Sequence, residues 1–98
     1  MPKAYWVVSY QSISDPQKLA AYAKLLQPGA MASFGPRVLA RGNAAAAYER
    51  GLKERVVIVE YPSLEKAIAA HDSPAYQEAL KALGDGAVRD VRIVEGLQ

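Results

Sequence analysis

Three residue types that often carry proton chemistry meet in one short stretch, His71-Asp72-Ser73, with Tyr76 just beyond. His71 is the only histidine in the chain, and an imidazole titrates near ~6.5, where a general base is most useful. Working Ser-His-Asp sets are assembled from separated segments with defined geometry, and adjacency in sequence does not make one. The local pattern has a plainer meaning. His71 closes a run with helical spacing, where outward-pointing carbonyls favour a cation. Ser73 followed by Pro74 marks a new helix, the hydroxyl capping free amides and the proline fitting the first turn. The stretch reads as a break between two helices in which His71 is the reactive member.

Further candidates are dispersed. Arg41 stands at the end of a strand-like run, just before Gly42, and a guanidinium there can hold a carboxylate or phosphate; a salt bridge to Glu60 or Glu95 is the alternative. Glu60 lies on an otherwise apolar strand, where partial burial would raise its pKa and suit it to acid or base work, unless an arginine pairs with it. Asp15 fits a helix cap at a strand-to-helix junction that could border a pocket. His71, Glu60 and Asp15 are thus the candidate catalytic residues. Arg41, Trp6, Tyr10, Phe34 and Tyr76 are the candidate ligand-binding residues, the four aromatics serving either as cavity walls or as core.

Other chemistries find no support. There is no cysteine, which removes thiolate nucleophiles, disulfides and Cys-ligated zinc, and one histidine cannot build a His-rich metal site. "GAMASFG" lacks the spacing and the lysine of a phosphate-binding loop. No metal, nucleotide, flavin or other cofactor is expected. The net charge is +2, from 12 basic against 10 acidic residues scattered among one another, so nucleic acid is not an expected partner. No run approaches the ~20 apolar residues of a membrane span, and the N-terminus lacks a secretory pattern. A cytoplasmic location is expected.

The elements that must position these residues follow from patterning. Lys3 to Gln11 is a strand apolar on both alternating sets. A helix begins at Asp15-Pro16, with Leu19, Tyr22, Ala23 and Leu26 at helical spacing. Pro28 would kink it, with Ala30, Met31 and Phe34 extending the stripe. Pro36 to Gly42 is a second strand, and "NAAAAYERGLKE" a long hairpin excursion or a short helix. Arg55 to Pro62 is the strongest strand, again apolar on both faces. A short helix follows, capped by Ser63 with Leu64, Ala67 and Ile68 inward, then a helix from Ser73 to Gly84 and a last strand, Val88 to Gly96.

The order β-α-β-β-α-β, its second helix broken in two, predicts an α+β, ferredoxin-like subunit: an antiparallel four-stranded sheet with both helices on one face, in one domain spanning residues 1–98. Helices on one face leave the other apolar face open, with Val7 or Trp6 and Val57 or Ile58 upon it, and monomers rarely expose such a surface. A homodimer pressed together through the sheet faces is the expected partnership.

"RVLARGNA", "RVVIVEYPSLEKAIAAHDSPAYQEAL" and "VRDVRIVEG" together resemble the uncharacterised proteins of unknown-function family 1330, in the dimeric α/β-barrel superfamily. The resemblance covers nearly the whole chain and is most specific from "EYPSLE" to "DSPAYQ". It implies a ferredoxin-like subunit and a dimeric barrel but no established reaction. The superfamily holds monooxygenases of antibiotic biosynthesis, muconolactone isomerase-like proteins, haem-degrading enzymes and stress-response dimers, so fold alone is a poor guide to chemistry. The family pattern often has an aromatic where His71 stands and Arg-Gly-Gly where Arg41-Gly42-Asn43 stands. Three functions follow as expectations. One is binding of a small organic, anionic molecule between sheet and helices, with a cofactor-independent monooxygenase- or isomerase-like reaction as its catalytic form. Another is a non-catalytic dimeric stress or regulatory module with a self-filled interior, against which a cavity of roughly 300 Å³ or more would count. The third is haem binding through His71.

Overall fold

The computed structural model describes residues 2–27 and 29–97. Strand β1 is Ala4–Ile13, helix α1 Pro16–Leu25, β2 Arg37–Asn43, β3 Arg55–Tyr61, α2 Leu64–Asp72, α3 Pro74–Leu83 and β4 Ala87–Glu95. The strands form one antiparallel sheet in the order β2-β3-β1-β4. With all three helices on one side, the arrangement is ferredoxin-like.

Alternation along β1 divides the sheet into two faces. Ala4, Trp6, Val8 and Tyr10 are buried under the helices, while Tyr5, Val7 and Ser9 are half-buried on the other side. The helix-covered set continues across the sheet through Val57, Val59 and Tyr61 on β3 and Val91 and Ile93 on β4. Trp6 is the central wedge. Its indole nitrogen donates to the Ala67 carbonyl at 2.9 Å, and its ring meets Tyr61 and Tyr76 at centroid distances of 5.1 and 4.9 Å.

The caps follow the sequence. Asp15 accepts from the Gln17 and Lys18 amides at the start of α1, and the Ser63 hydroxyl accepts from the Lys66 amide at the start of α2. Ser73 serves two helices at once. Its hydroxyl donates to the Ala70 carbonyl at 2.7 Å and accepts from the Tyr76 amide at 3.2 Å.

Two expectations need correction. The first helix does not continue through "AMASF": α1 ends at Leu25, and a separate 3₁₀ turn spans Ala32–Phe34. Pro28, the position of the expected kink, lies outside the described residues. The short turn closes on Gly35 at φ 72°, a left-handed conformation in which an added Cβ would stand 2.9 Å from Pro62. On α2, Leu64 packs against the core as expected, but Ile68 is 45% exposed, and the buried positions are Ala67 and Ala70. Small residues are needed there because the helix lies close over the Trp6 ring, which bonds to its backbone. The connection from 44 to 54 is the hairpin excursion without a helix. Among the described residues no helix is long and apolar enough to cross a membrane.

Candidate functional site

Between the helix-covered face of the sheet and α1 lies a cavity of about 220 Å³. Trp6, Val8 and Tyr10 form its floor on β1, Val57, Val59 and Tyr61 on β3, with Leu19 and Tyr22 of α1 and its C-cap Leu26 above. Three arginines, Arg41, Arg55 and Arg89, enter this largely apolar space, and no carboxylate or histidine lines it. Among the described residues none of the three is ion-paired, whereas Lys3, Lys18, Lys81 and Arg92 each meet a carboxylate.

Register explains how the arginines converge. Arg89 pairs with Tyr10 across β4 and β1. Ser9 pairs with Val56, so the same register carries Arg55 opposite Tyr10 from the other side. The two cations therefore flank one tyrosine, with backbones two strand spacings, about 9–10 Å, apart. Arg41 pairs with Val57 and Asn43 with Arg55, which makes Arg41 and Arg55 diagonal neighbours on the same face. Arg41 reaches that face because of a bulge. Val38 pairs with Val59 and Ala40 with Ile58, leaving Leu39 as the extra residue in β2. Residues three apart on a regular strand face opposite ways; the bulge lets Val38 and Arg41 both line the cavity.

Arg89 is organised by phenols. It donates to the Tyr22 hydroxyl at 3.1 Å and the Tyr76 hydroxyl at 3.4 Å, and the two hydroxyls lie 2.7 Å apart. Its guanidinium stands 4.9 Å from the Tyr22 ring centroid and 5.6 Å from that of Tyr10, within cation–π range. Burial raises the Tyr22 pKa, and the Tyr76 hydroxyl beside it adds to the rise, so Tyr22 is a neutral phenol. Burial raises Tyr61 likewise. Burial opposes the charge on Arg89, yet the Tyr22 and Tyr76 oxygens outweigh it and its pKa rises. The end of the cavity is a cation held among phenols, suited to receive negative charge or oxygen lone pairs.

Of the ligand-binding candidates, Arg41, Trp6, Tyr10 and Tyr76 line this cavity; Phe34 is half-buried against the core and does not. The three catalytic candidates lie elsewhere. Glu60 is on the uncovered face, bonded to Lys3 Nζ at 3.3 Å and Tyr5 Oη at 3.4 Å, so it is not the partner of Arg41. Asp15 is occupied as the cap of α1. His71 Nδ1 lies 3.1 Å from Asp72 Oδ1 near the end of α2, its ring centroid 6.2 Å from that of Trp6 and 5.3 Å from that of Tyr76. Ser73 turns its hydroxyl to the backbone, away from any nucleophilic role. Sequence reasoning missed Arg55, Arg89, Tyr22 and Tyr61 as lining residues. The signal was present: Arg89 falls in step with Val91 and Ile93, and Arg55 with Val57, Val59 and Tyr61, a cation at the end of each inward-facing set.

A ferredoxin-like subunit with a small cationic cavity under its helices defines a broad structural class. The chain matches the domain of unknown function DUF1330 over residues 3–97 and belongs to that family. No functionally curated protein matches it. Among solved structures it is similar to a protein of unknown function from Rhodopseudomonas palustris, at TM-score 0.73 and 19% identity, covering 99% of this chain and 84% of that one. It is similar to a dimeric ferredoxin-like protein of unknown function from Thermobifida fusca, at 0.62 and 13%, covering 96% and 91%. SnoaB, a cofactor-independent oxygenase from Streptomyces nogalater, is similar at 0.59 and 11%, covering 100% and 96%. Identities this low establish the shared fold and nothing of the chemistry.

Proposed function

We propose that the protein is a cytoplasmic homodimer, one domain per chain, that binds a small organic anion between sheet and helices. One observation carries the reading: three arginines and no carboxylate face a largely apolar cavity. Arg55 is half-buried and, like the exposed Arg41 beside it, makes no ion pair among the described residues, so both are free to meet something negative. At about 220 Å³ the space is below the ~300 Å³ at which a self-filled interior would be opposed, and too small for a drug-sized ligand. It exceeds the ~150 Å³ that admits benzene, so a one-ring or short-chain acid fits. His71 is not among the residues that line it, so the cavity gives haem ligation through His71 no support. Calorimetric titration with small aliphatic and aromatic carboxylates, alongside their uncharged amides, tests the reading. Binding of acids but not amides, lost in Arg41→Met with the fold intact, is expected; equal binding of amides, or none by any acid at millimolar concentration, would sink it.

The dimer rests on the uncovered face. Tyr5, Val7, Val56 and Ile58 are half-buried there and Val94 is 53% exposed. This face runs into a wide groove of about 830 Å³ beneath the β2–β3 excursion, where Tyr48 is 80% exposed. A second copy would bury this apolar surface. Light scattering on Val7→Arg checks it: the mass should halve relative to the wild type, and a wild-type monomer refutes the assembly.

A further inference from the structure

The cavity has two unlike polar ends. Arg41 and Arg55, diagonal neighbours on β2 and β3, make no side-chain hydrogen bond among the described residues, so their forks are free to grip a carboxylate on two edges. Across Tyr10 stands Arg89, already committed to the Tyr22 and Tyr76 oxygens. Proton counting gives that end its character. The two phenols carry two O–H protons, and one lies in the 2.7 Å bond between the oxygens. The other has no protein acceptor among the described residues, although both rings line the cavity. This end therefore offers a single hydroxyl donor, polarised by a guanidinium behind it. It suits one oxygen acceptor better than a whole carboxylate. The walls between the ends are aromatic, from Trp6, Tyr10 and Tyr61.

We propose that the ligand is a one-ring organic acid with a second oxygen opposite its carboxylate, a phenol or ring carbonyl. Arg41 and Arg55 hold the carboxylate, and the Tyr22–Tyr76–Arg89 cluster holds the second oxygen. The inference rests on the anion-binding reading and adds the polarity of the ligand and its orientation.

Three probes of closely similar outline test it: 4-hydroxybenzoate, 4-methylbenzoate and benzoate, titrated into the full chain. The wild type should bind 4-hydroxybenzoate about tenfold more tightly than 4-methylbenzoate, the scale of one hydrogen bond to a buried donor. Tyr22→Phe/Tyr76→Phe should reduce that preference to under about twofold with benzoate affinity kept, and Arg41→Met should weaken all three alike. The wild-type comparison needs no variant, so a misfolded double mutant leaves the proposal falsifiable. Acids that bind without preference for the hydroxyl overturn this inference and leave the anion-binding reading standing. A preference that survives in a folded double variant overturns it too. If none of the three binds at millimolar concentration, this inference falls, and the anion-binding reading is decided by the aliphatic acids.

Discussion

The two faces of the sheet are built from the same four strands and treat charge in opposite ways. On the uncovered face Glu60 is held by Lys3 and Tyr5, and Arg92 lies against Asp90 through two hydrogen bonds. On the helix-covered face Arg41, Arg55 and Arg89 line one cavity without an acid, Arg41 at its exposed edge. A carboxylate would add more beside the half-buried Arg55 or Arg89 than in an exposed pair, which contributes little. The difference is what the proposed reading requires: a covered face that leaves cations for a ligand, and an open apolar face for a second copy.

Several substitutions would sharpen or break that contrast. The largest effect belongs to Trp6→Ala, which opens a hole beneath α2; a loss of about 3–5 kcal/mol is expected in urea unfolding, and a loss under about 1 kcal/mol would show that the core does not centre on this ring. Next comes the matched pair Arg55→Met and Arg92→Met. The first should weaken binding of benzoate roughly 10- to 100-fold, the range for hydrogen bonds from a charged group; the second should change it less than about twofold. Equal effects in titration would erase the distinction between the faces. Alkali should act selectively as well. Burial raises the Tyr22 pKa in the folded state, so its contribution to stability is complete below the unfolded value, about 10, and is lost as pH climbs past it. Urea midpoints should be level from pH 7 to about 9.5 and decline above 10, with a shallower decline in Tyr22→Phe. The smallest effect is expected of Glu60→Gln, at most about 1 kcal/mol in stability with benzoate affinity unchanged; a tenfold fall in affinity would return Glu60 to the site.

The architecture is legible in the amino-acid order because its signals are local. Asp15-Pro16, Ser63 and Ser73-Pro74 mark helix starts with capping chemistry, and each serves in that place. Alternation assigns residues on regular strands to faces, which puts Trp6 and Tyr10 within reach of sequence reasoning. The site is less accessible because it depends on pairing between distant segments. Nothing near Arg89 announces Tyr22, 67 positions away, or the hydroxyl bond from Tyr22 to Tyr76. Glu60 and Arg41 illustrate the opposite error. Both are charged residues near apolar strands, yet one belongs to each face, and the bulge at Leu39 decides it. Pattern reading assumes unbroken alternation and fails wherever one residue is added.

A strand's facing is a matter of parity, and Leu39 inverts the parity of everything in β2 that follows it. Because β2 is an edge strand, paired on one side only, the slip disturbs a single ladder and leaves the interior of the sheet intact. Loss of Leu39 would only regularise the ladder, with Arg41 still opposite Val57; a slip that absorbed Leu39 into the ladder would instead pair Ala40 with Val57 and Arg41 with Val56, turning Arg41 outward and bringing a methyl group inward. The facing of Arg41 is thus set by the register of one edge ladder, and a change of register there alters the cavity wall without any substitution inside it.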